Sequence, residues 1–222
     1  MKNKILYIIC LLISWVVCLR AQNLEVDMNK ASEVYKSYDN LSIEWLNYLS
    51  EEKDSPEHLY MNKCGDDYFI DGLGQKICIN GLQRIVLDVN NKIAIYSEVN
   101  SDSSTPDPLA MIKDVIQSAS SIDYKPMGNL KYYRINSKLP SMGIIEIWIA
   151  QNPWRINKVI QHLEGDIKQA FVFELVSFKT DCAGGAKMKL SNYLSLTTGN
   201  VILKDPYKSY HLYNAKDYLA KQ

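Results

Sequence analysis

Hydrophobic positions change period along the chain, and each change predicts an element. Ile5 to Leu19 is an apolar run with no period. From Val26 to Asp39, Ala31, Val34, Tyr35 and Tyr38 fall at i, i+3, i+4 and i+7, so one face of a helix carries them. Asp27 or Asn29 can cap that helix, and Asp39-Asn40 ends it. The period then shortens. Leu41, Ile43, Trp45 and Leu49 alternate with mostly polar residues, which predicts a strand.

Short alternating runs follow in succession: Leu59 to Lys63, Asp67 to Asp71, Gln75 to Asn80, Leu82 to Val89 and Ile93 to Tyr96. Asn90-Asn91 between two apolar runs predicts a two-residue hairpin turn, because Asn tolerates the positive φ that such a turn demands. Asn100 to Pro108 is polar, holds two prolines and breaks the pattern. Pro108 then opens a predicted helix with the stripe Leu109, Ile112, Val115, Ile116 and Ala119. Further strands are predicted at Ile122 to Lys125, Lys131 to Asn136, Ile144 to Ala150, Ile156 to Leu163, Ala170 to Lys179, Met188 to Leu196 and Val201 to Leu203. Tyr207 to Leu219 reads as a mixed tail. Tight turns between strands imply antiparallel neighbours, since parallel pairs need long crossovers. The fold class is α+β and β-rich: one strongly curved antiparallel sheet of about ten strands, with two or three helices against one face.

Composition adds compartment and removes several function classes. The 222 residues allow a single domain, expected to span 22–222. Equal numbers of basic and acidic residues, 25 each, leave no basic field for nucleic acid. Fifteen Tyr against four Phe favour strands and half-buried surfaces. Lys2 and Lys4, the apolar run and Arg20-Ala21 have the order of a secretory signal peptide, with the cut after Ala21. The alternative is an uncleaved anchor, although the run is shorter than the roughly 20 residues that span a bilayer. Cleavage implies a periplasmic or secreted chain with no membrane span and a charge near −3. Val17 before Cys18 argues against lipidation there. Cys64, Cys78 and Cys182 remain after the cut. Cys64 and Cys78 flank the Gly72-Leu73-Gly74 turn and could bridge in an oxidising compartment; the alternative is two small buried hydrophobes.

The order of elements resembles the LolA/LolB family of bacterial lipoprotein carriers and receptors. The resemblance runs from Asn29 to about Leu203, through Tyr35 to Leu41, Lys76 to Gly81, Lys92 to Glu98, the helix led by Pro108, and Gly143 to Ile160. The Arg20-Ala21-Gln22 ending resembles signal peptides common in Bacteroidetes. The family implies an unclosed half-barrel whose concave, apolar side is covered by helices and holds acyl chains. A sheet arginine of the family, next to Phe, has no counterpart in Asp67 to Asp71, so no functional residue is carried over.

Familiar catalytic signatures are absent from the sequence. No Gly-x-Ser-x-Gly occurs, and His58, His162 and His211 stand apart. Gly184-Gly185-Ala186-Lys187 lacks the spacing of a phosphate loop. Glu51-Glu52 and Asp66-Asp67 read as solvated loop charge. The expectation is therefore a non-catalytic envelope protein, without metal or cofactor, that binds an apolar ligand, lipid or acylated protein. Candidate lining residues are Ile43, Trp45, Ile79, Ile85, Leu87, Ile95, Leu109, Ile112, Ile116, Ile147 and Ile149, which could equally form a dry core. The second reading is a structural or interaction component of an envelope assembly, with Trp154, the loop from Asn100 to Pro108 and the Tyr-rich tail as its contacts.

Overall fold

The computed structural model describes residues 23–98, 115–139, 142–162, 169–182, 189–197 and 200–215. The expected signal peptide and most of the helix led by Pro108, including Leu109 and Ile112, lie outside the described residues. Helix α1 covers residues 23–37. Six strands follow: β1 (Asn40–Leu49), β2 (Glu57–Cys64), β3 (Asp67–Gly72), β4 (Gln75–Asn80), β5 (Gln83–Asp88) and β6 (Ile93–Glu98). Residues 115–117 are helical. Then come β7 (Ala119–Met127), β8 (Leu130–Ser137), β9 (Ile144–Gln151), β10 (Trp154–His162) and β11 (Ala170–Lys179). The last described strands are β12 (Leu194–Thr197), β13 (Asn200–Leu203) and β14 (His211–Asn214).

Among the described residues, twelve strands join in the hydrogen-bonded order β14-β6-β5-β4-β3-β2-β1-β11-β10-β9-β8-β7, and β12 pairs only with β13. The sheet is thus larger than the expected ten strands, and its first and last members are not neighbours. Alternation is what makes β1 to β11 legible: Ile85 and Leu87 of β5, and Ile145, Ile147 and Ile149 of β9, are buried at every second residue.

Five local expectations need correction. Ala119, placed at the end of a helical stripe, begins β7. Met188 to Leu196 is not one strand: Leu190–Asn192 is a 3-10 turn, which lets Leu190 and Tyr193 share a buried side at i, i+3 before β12 begins. The tail contains β14, which pairs parallel with β6. The whole intervening chain supplies the long connection that a parallel pair needs. The β5–β6 hairpin has Asp88 opposite Ile93, so four residues make its loop, and the positive φ of 53° falls on Lys92. Asn91 instead donates its N–H to Asp88 Oδ1 at 2.9 Å and its Nδ2 to Oδ2 at 2.8 Å. Finally, the disulfide joins Cys64 to Cys182. Cys64 and Cys78 cannot meet, because they sit on β2 and β4 with β3 between them.

The chain divides into two compact units. In the first, α1 lies with the strands drawn from Asn47–Pro56 and Asp107–Glu174. The second is built from Tyr38–Leu46, Glu57–Pro106 and Leu175–Gln222. β7 to β10 belong to the first unit, β2 to β6 and β12 to β14 to the second, and β1 and β11 contribute to both.

Candidate functional site

In the second unit, strand register sorts side chains onto two faces, because paired residues point the same way. Phe69, Cys78, Ile85 and Tyr96 form one row, with Leu87 and Ala94 beside it. The C-terminal segment covers this face. Leu190, Tyr193, Leu194 and Leu203 pack on it as one buried cluster, joined by Tyr207, Tyr210 and Leu212. The Phe69 and Tyr193 rings stack 6.4 Å apart. Burial pushes the Cys78 thiol up to about 12, with the nearby Asp67 carboxylate adding to it, so this sulfur is packing material and not a nucleophile. Ile85 and Leu87 are each 0% exposed in this core.

The opposite face is different. Met61, Ile70, Ile77, Val86, Ile95 and Tyr213 form a row across β2, β3, β4, β5, β6 and β14, without one polar side chain except the Tyr213 hydroxyl. Met61 is buried, whereas Ile70, Ile77, Val86, Ile95 and Tyr213 are only half-buried. At strand spacings near 4.8 Å the row spans about 24 Å. One flank reads Lys63, Tyr68, Ile79, Arg84, Ser97; the other includes Gln75, Asp88, Ile93 and His211. Arg84 Nε donates to Ser97 Oγ at 3.2 Å, and Lys63 Nζ lies 5.8 Å from the Tyr68 ring centroid. β1 adds to the same face. His58 has the parity of Asn62, on the covered side, and its Nδ1 lies 2.7 Å from Glu44 Oε1. Alternation therefore turns Ile43 and Trp45 to the open side.

The first unit arranges its apolar face otherwise. Tyr133 pairs with Ile147, Lys131 with Ile149, and Ile149 with Ile156, so these side chains share one face. Helix α1 is fastened there by polar groups. Asp27, 2% exposed, accepts two hydrogen bonds from Lys131 Nζ, at 2.9 and 2.7 Å, and one from Tyr133 Oη. Near the other end of the helix, the Ile156 N–H donates to Tyr35 Oη at 3.2 Å. Burial raises the Tyr35 phenol to about 12, against a smaller lowering by that N–H and by Arg155. Burial also raises Tyr133, reinforced by the Asp27 carboxylate. Under this latch Ile147 and Ile149 are 0% exposed. Trp154, expected on an exposed turn, is half-buried at the start of β10, with the ammonium groups of Lys30 and Lys131 at 4.6 and 5.0 Å from its ring centroid. Those two cations hold its indole face.

The candidate lining residues thus fall into separate places. Ile43, Trp45, Ile79 and Ile95 share the second unit's open face; Ile85 and Leu87 lie on its covered face; Ile147 and Ile149 lie beneath α1. Ile116 is half-buried in the short described helical stretch. Sequence reasoning missed Ile70, Ile77 and Val86, together with the flanking Lys63 and Arg84. The run Ile85-Val86-Leu87 is apolar at both parities, so only the strand register could show which parity faces which side. Among the described residues no three His, Cys, Asp or Glu side chains gather as a metal site. No described helix is long and apolar enough to cross a membrane.

No protein-family model matches the sequence, and no curated protein matches it. Solved structures do. The chain is similar to an uncharacterized conserved protein from Thermus thermophilus, at TM-score 0.50 and 8% identity, over 86% of this chain and 99% of that one. That likeness shows a shared fold. A LolA superfamily protein from Nitrosomonas europaea is similar at TM-score 0.35 and 10% identity, over 75% of this chain and 97% of that one. A DUF1329 family protein from Desulfovibrio piger follows at TM-score 0.34 and 9% identity, over 75% and 97%. At those two scores the likenesses carry no argument about this chain's activity.

Proposed function

We propose that this protein is a non-catalytic, exported envelope component that binds an apolar ligand, lipid or acylated protein on the open face of its second unit. One observation carries the reading: the half-exposed row Ile70, Ile77, Val86, Ile95, continuous over neighbouring strands while the other face of those strands is already packed. A sheet in water normally pairs an apolar face with a polar one. Here both faces are apolar; one is packed under the C-terminal segment, and the central row of the other stays half-buried. An acyl chain laid on the open row gains about 0.8 kcal/mol for each CH₂ removed from water. The basic, apolar and small-residue order of the first 22 positions supports export, and the resemblance to lipoprotein carriers points the same way.

Mass spectrometry of lipids extracted from the purified protein tests this reading. Copurifying acyl lipid is expected, and Val86→Asp, placed on the half-exposed row, should abolish it while the circular dichroism spectrum stays unchanged. Lipid retained at the same level by Val86→Asp would contradict the assignment of the face.

A further inference from the structure

A recess lies on the covered side of the second unit, where the C-terminal segment meets the end of the β4–β5 hairpin. Gly81-Leu82 is a two-residue loop there, and it leaves Asn80 and Gln83 paired side by side. Asn80 shares the parity of Cys78, and Gln83 that of Ile85, so both amides turn to the covered face. With Lys189, Ser191 and Lys204 of the C-terminal segment they line a cleft of about 410 Å³. Leu190 and Leu194, 5% and 1% exposed, supply its apolar part, and their packing in the core holds that part fixed. Lys204 is held twice: its N–H donates to the Tyr193 carbonyl and its Nζ to the Ser191 carbonyl, each at 2.8 Å. That leaves two ammonium protons for a ligand. Among the described residues, the Asn80 and Gln83 amides and the Lys189 ammonium make no hydrogen bond or ion pair. No carboxylate lines the cleft among the described residues. The acids of the neighbouring strands are placed elsewhere: Asp67 Oδ1 accepts from the Gly81 N–H at 3.2 Å, and Glu98, paired with Gln83, is exposed.

We infer that this cleft binds a small organic acid, with its carboxylate at Lys189 and Lys204 and its apolar body on Leu190 and Leu194. The inference goes beyond the acyl-chain reading and does not depend on it, since the cleft belongs to the covered face. Its volume falls within the roughly 300–1,000 Å³ of small-molecule sites, which join an apolar lining to a few convergent polar groups. Charge complementarity selects the head. A cation meets two ammonium groups and no lining carboxylate. A neutral head gains the leucine contact and ordinary hydrogen bonds to the amides. A carboxylate gains charge-assisted bonds, which are about twice as strong as neutral ones. The Asn80 and Gln83 amides add N–H donors for its oxygens and carbonyl acceptors for any hydroxyl on the body. An inorganic anion gains the charges and leaves Leu190 and Leu194 without an apolar partner. Water reaches the cleft and weakens the attraction, so the preference for the carboxylate is about tenfold and not larger.

NMR titration of the purified protein with phenylacetate, phenylacetamide, phenylethylammonium and acetate varies head and body separately. Phenylacetate is expected to bind about tenfold more tightly than each of the other three. It should shift the backbone amide resonances of Asn80, Gln83, Lys189 and Leu194. Lys189→Gln and Lys204→Gln should each remove most of the preference and leave phenylacetamide affinity unchanged, while Lys189→Arg should keep it. Gln83→Glu, at a half-buried position, should reverse the order in favour of phenylethylammonium. Equal affinity for phenylacetate and phenylacetamide would overturn the carboxylate, and acetate binding as tightly as phenylacetate would overturn the apolar body. A preference that survives both Gln variants and Gln83→Glu would overturn the assigned cleft. Failure of all four probes to bind would overturn the site and leave the lipid reading standing.

Discussion

The two units close an apolar sheet face by opposite means. In the first, a helix does it, and its fastening is polar: a buried carboxylate, an ammonium group, a phenol and a backbone N–H, each with a definite direction. In the second, an irregular C-terminal segment does it, and its fastening is apolar contact among Leu190, Tyr193, Leu194 and Leu203. The Cys64–Cys182 disulfide ties the start of that segment to the end of β2. Contact of the second kind is nondirectional and tolerates local irregularity, so short strands and 3-10 turns suffice to make it. The polar fastening fixes α1 in one register, because a helix shifted by one residue would leave Asp27 buried without partners. The difference also separates the two candidate ligand faces: one lies under a latched helix, and the central row of the other, from Ile70 to Ile95, is half-buried.

The largest test of this contrast is the latch. Lys131→Met leaves the Asp27 carboxylate buried with only Tyr133, and should cost about 3–5 kcal/mol in chemical denaturation. The double variant Asp27→Asn, Lys131→Met should recover most of that loss. If the single variant denatures at the original midpoint, the ion pair does not hold α1. Replacing Cys64 and Cys182 by Ser should cost about 2–5 kcal/mol, since the bridge closes a loop with a separation of 118 residues. Hydrogen exchange should then quicken in Leu190 to Leu203 and stay unchanged in α1. Faster exchange in both segments would mean that the two fastenings are not independent.

The latch is only partly legible in the sequence. The 3.6 period announces α1, and Tyr35 stands on its apolar stripe, but Asp27 reads as an N-terminal cap and Lys131 as a strand residue. Nothing in local sequence joins positions 104 apart, the separation of Asp27 from Lys131. Period-2 alternation places most strands of the large sheet to within a few residues. It fails where short-range rules compete. Leu190 to Leu194 mixes the spacings of strand and 3-10 turn. Asn90-Asn91 carries the usual chemistry of a tight turn, yet the two successive positive φ values of a two-residue hairpin fall on Leu73 and Gly74, at 54° and 71°. The candidate face is legible as a set of apolar strands and not as a surface, since parity, and hence face, is settled by register.

Buried tyrosines give the contrast a pH signature. A phenol whose folded pKa is raised favours the folded state while it is protonated. That contribution is whole below the unfolded value of about 10 and is lost as pH rises from about 10 towards the folded value. For Tyr35, raised to about 12, the loss should approach ~2 kcal/mol near pH 12. Tyr35→Phe should flatten the decline of the denaturation midpoint in that range; an equally steep decline would place the titration elsewhere. The smallest effect concerns the β5–β6 loop. Asn91 does not carry the positive φ, so Asn91→Val should cost no more than about 1 kcal/mol, through the lost side-chain bond to Asp88. A loss of several kcal/mol would return the strained position to Asn91.

The central claim is that the open face of the second unit, and not the face beneath α1, receives an acyl chain. Photolabelling with a diazirine-bearing fatty acid, followed by peptide mass spectrometry, addresses it most directly. The account predicts label on peptides from Asp67–Gly72, Gln75–Asn80, Gln83–Asp88 and Ile93–Glu98, reduced by excess dodecanoate. Label concentrated instead on Ile144–Gln151, beneath α1, would contradict it.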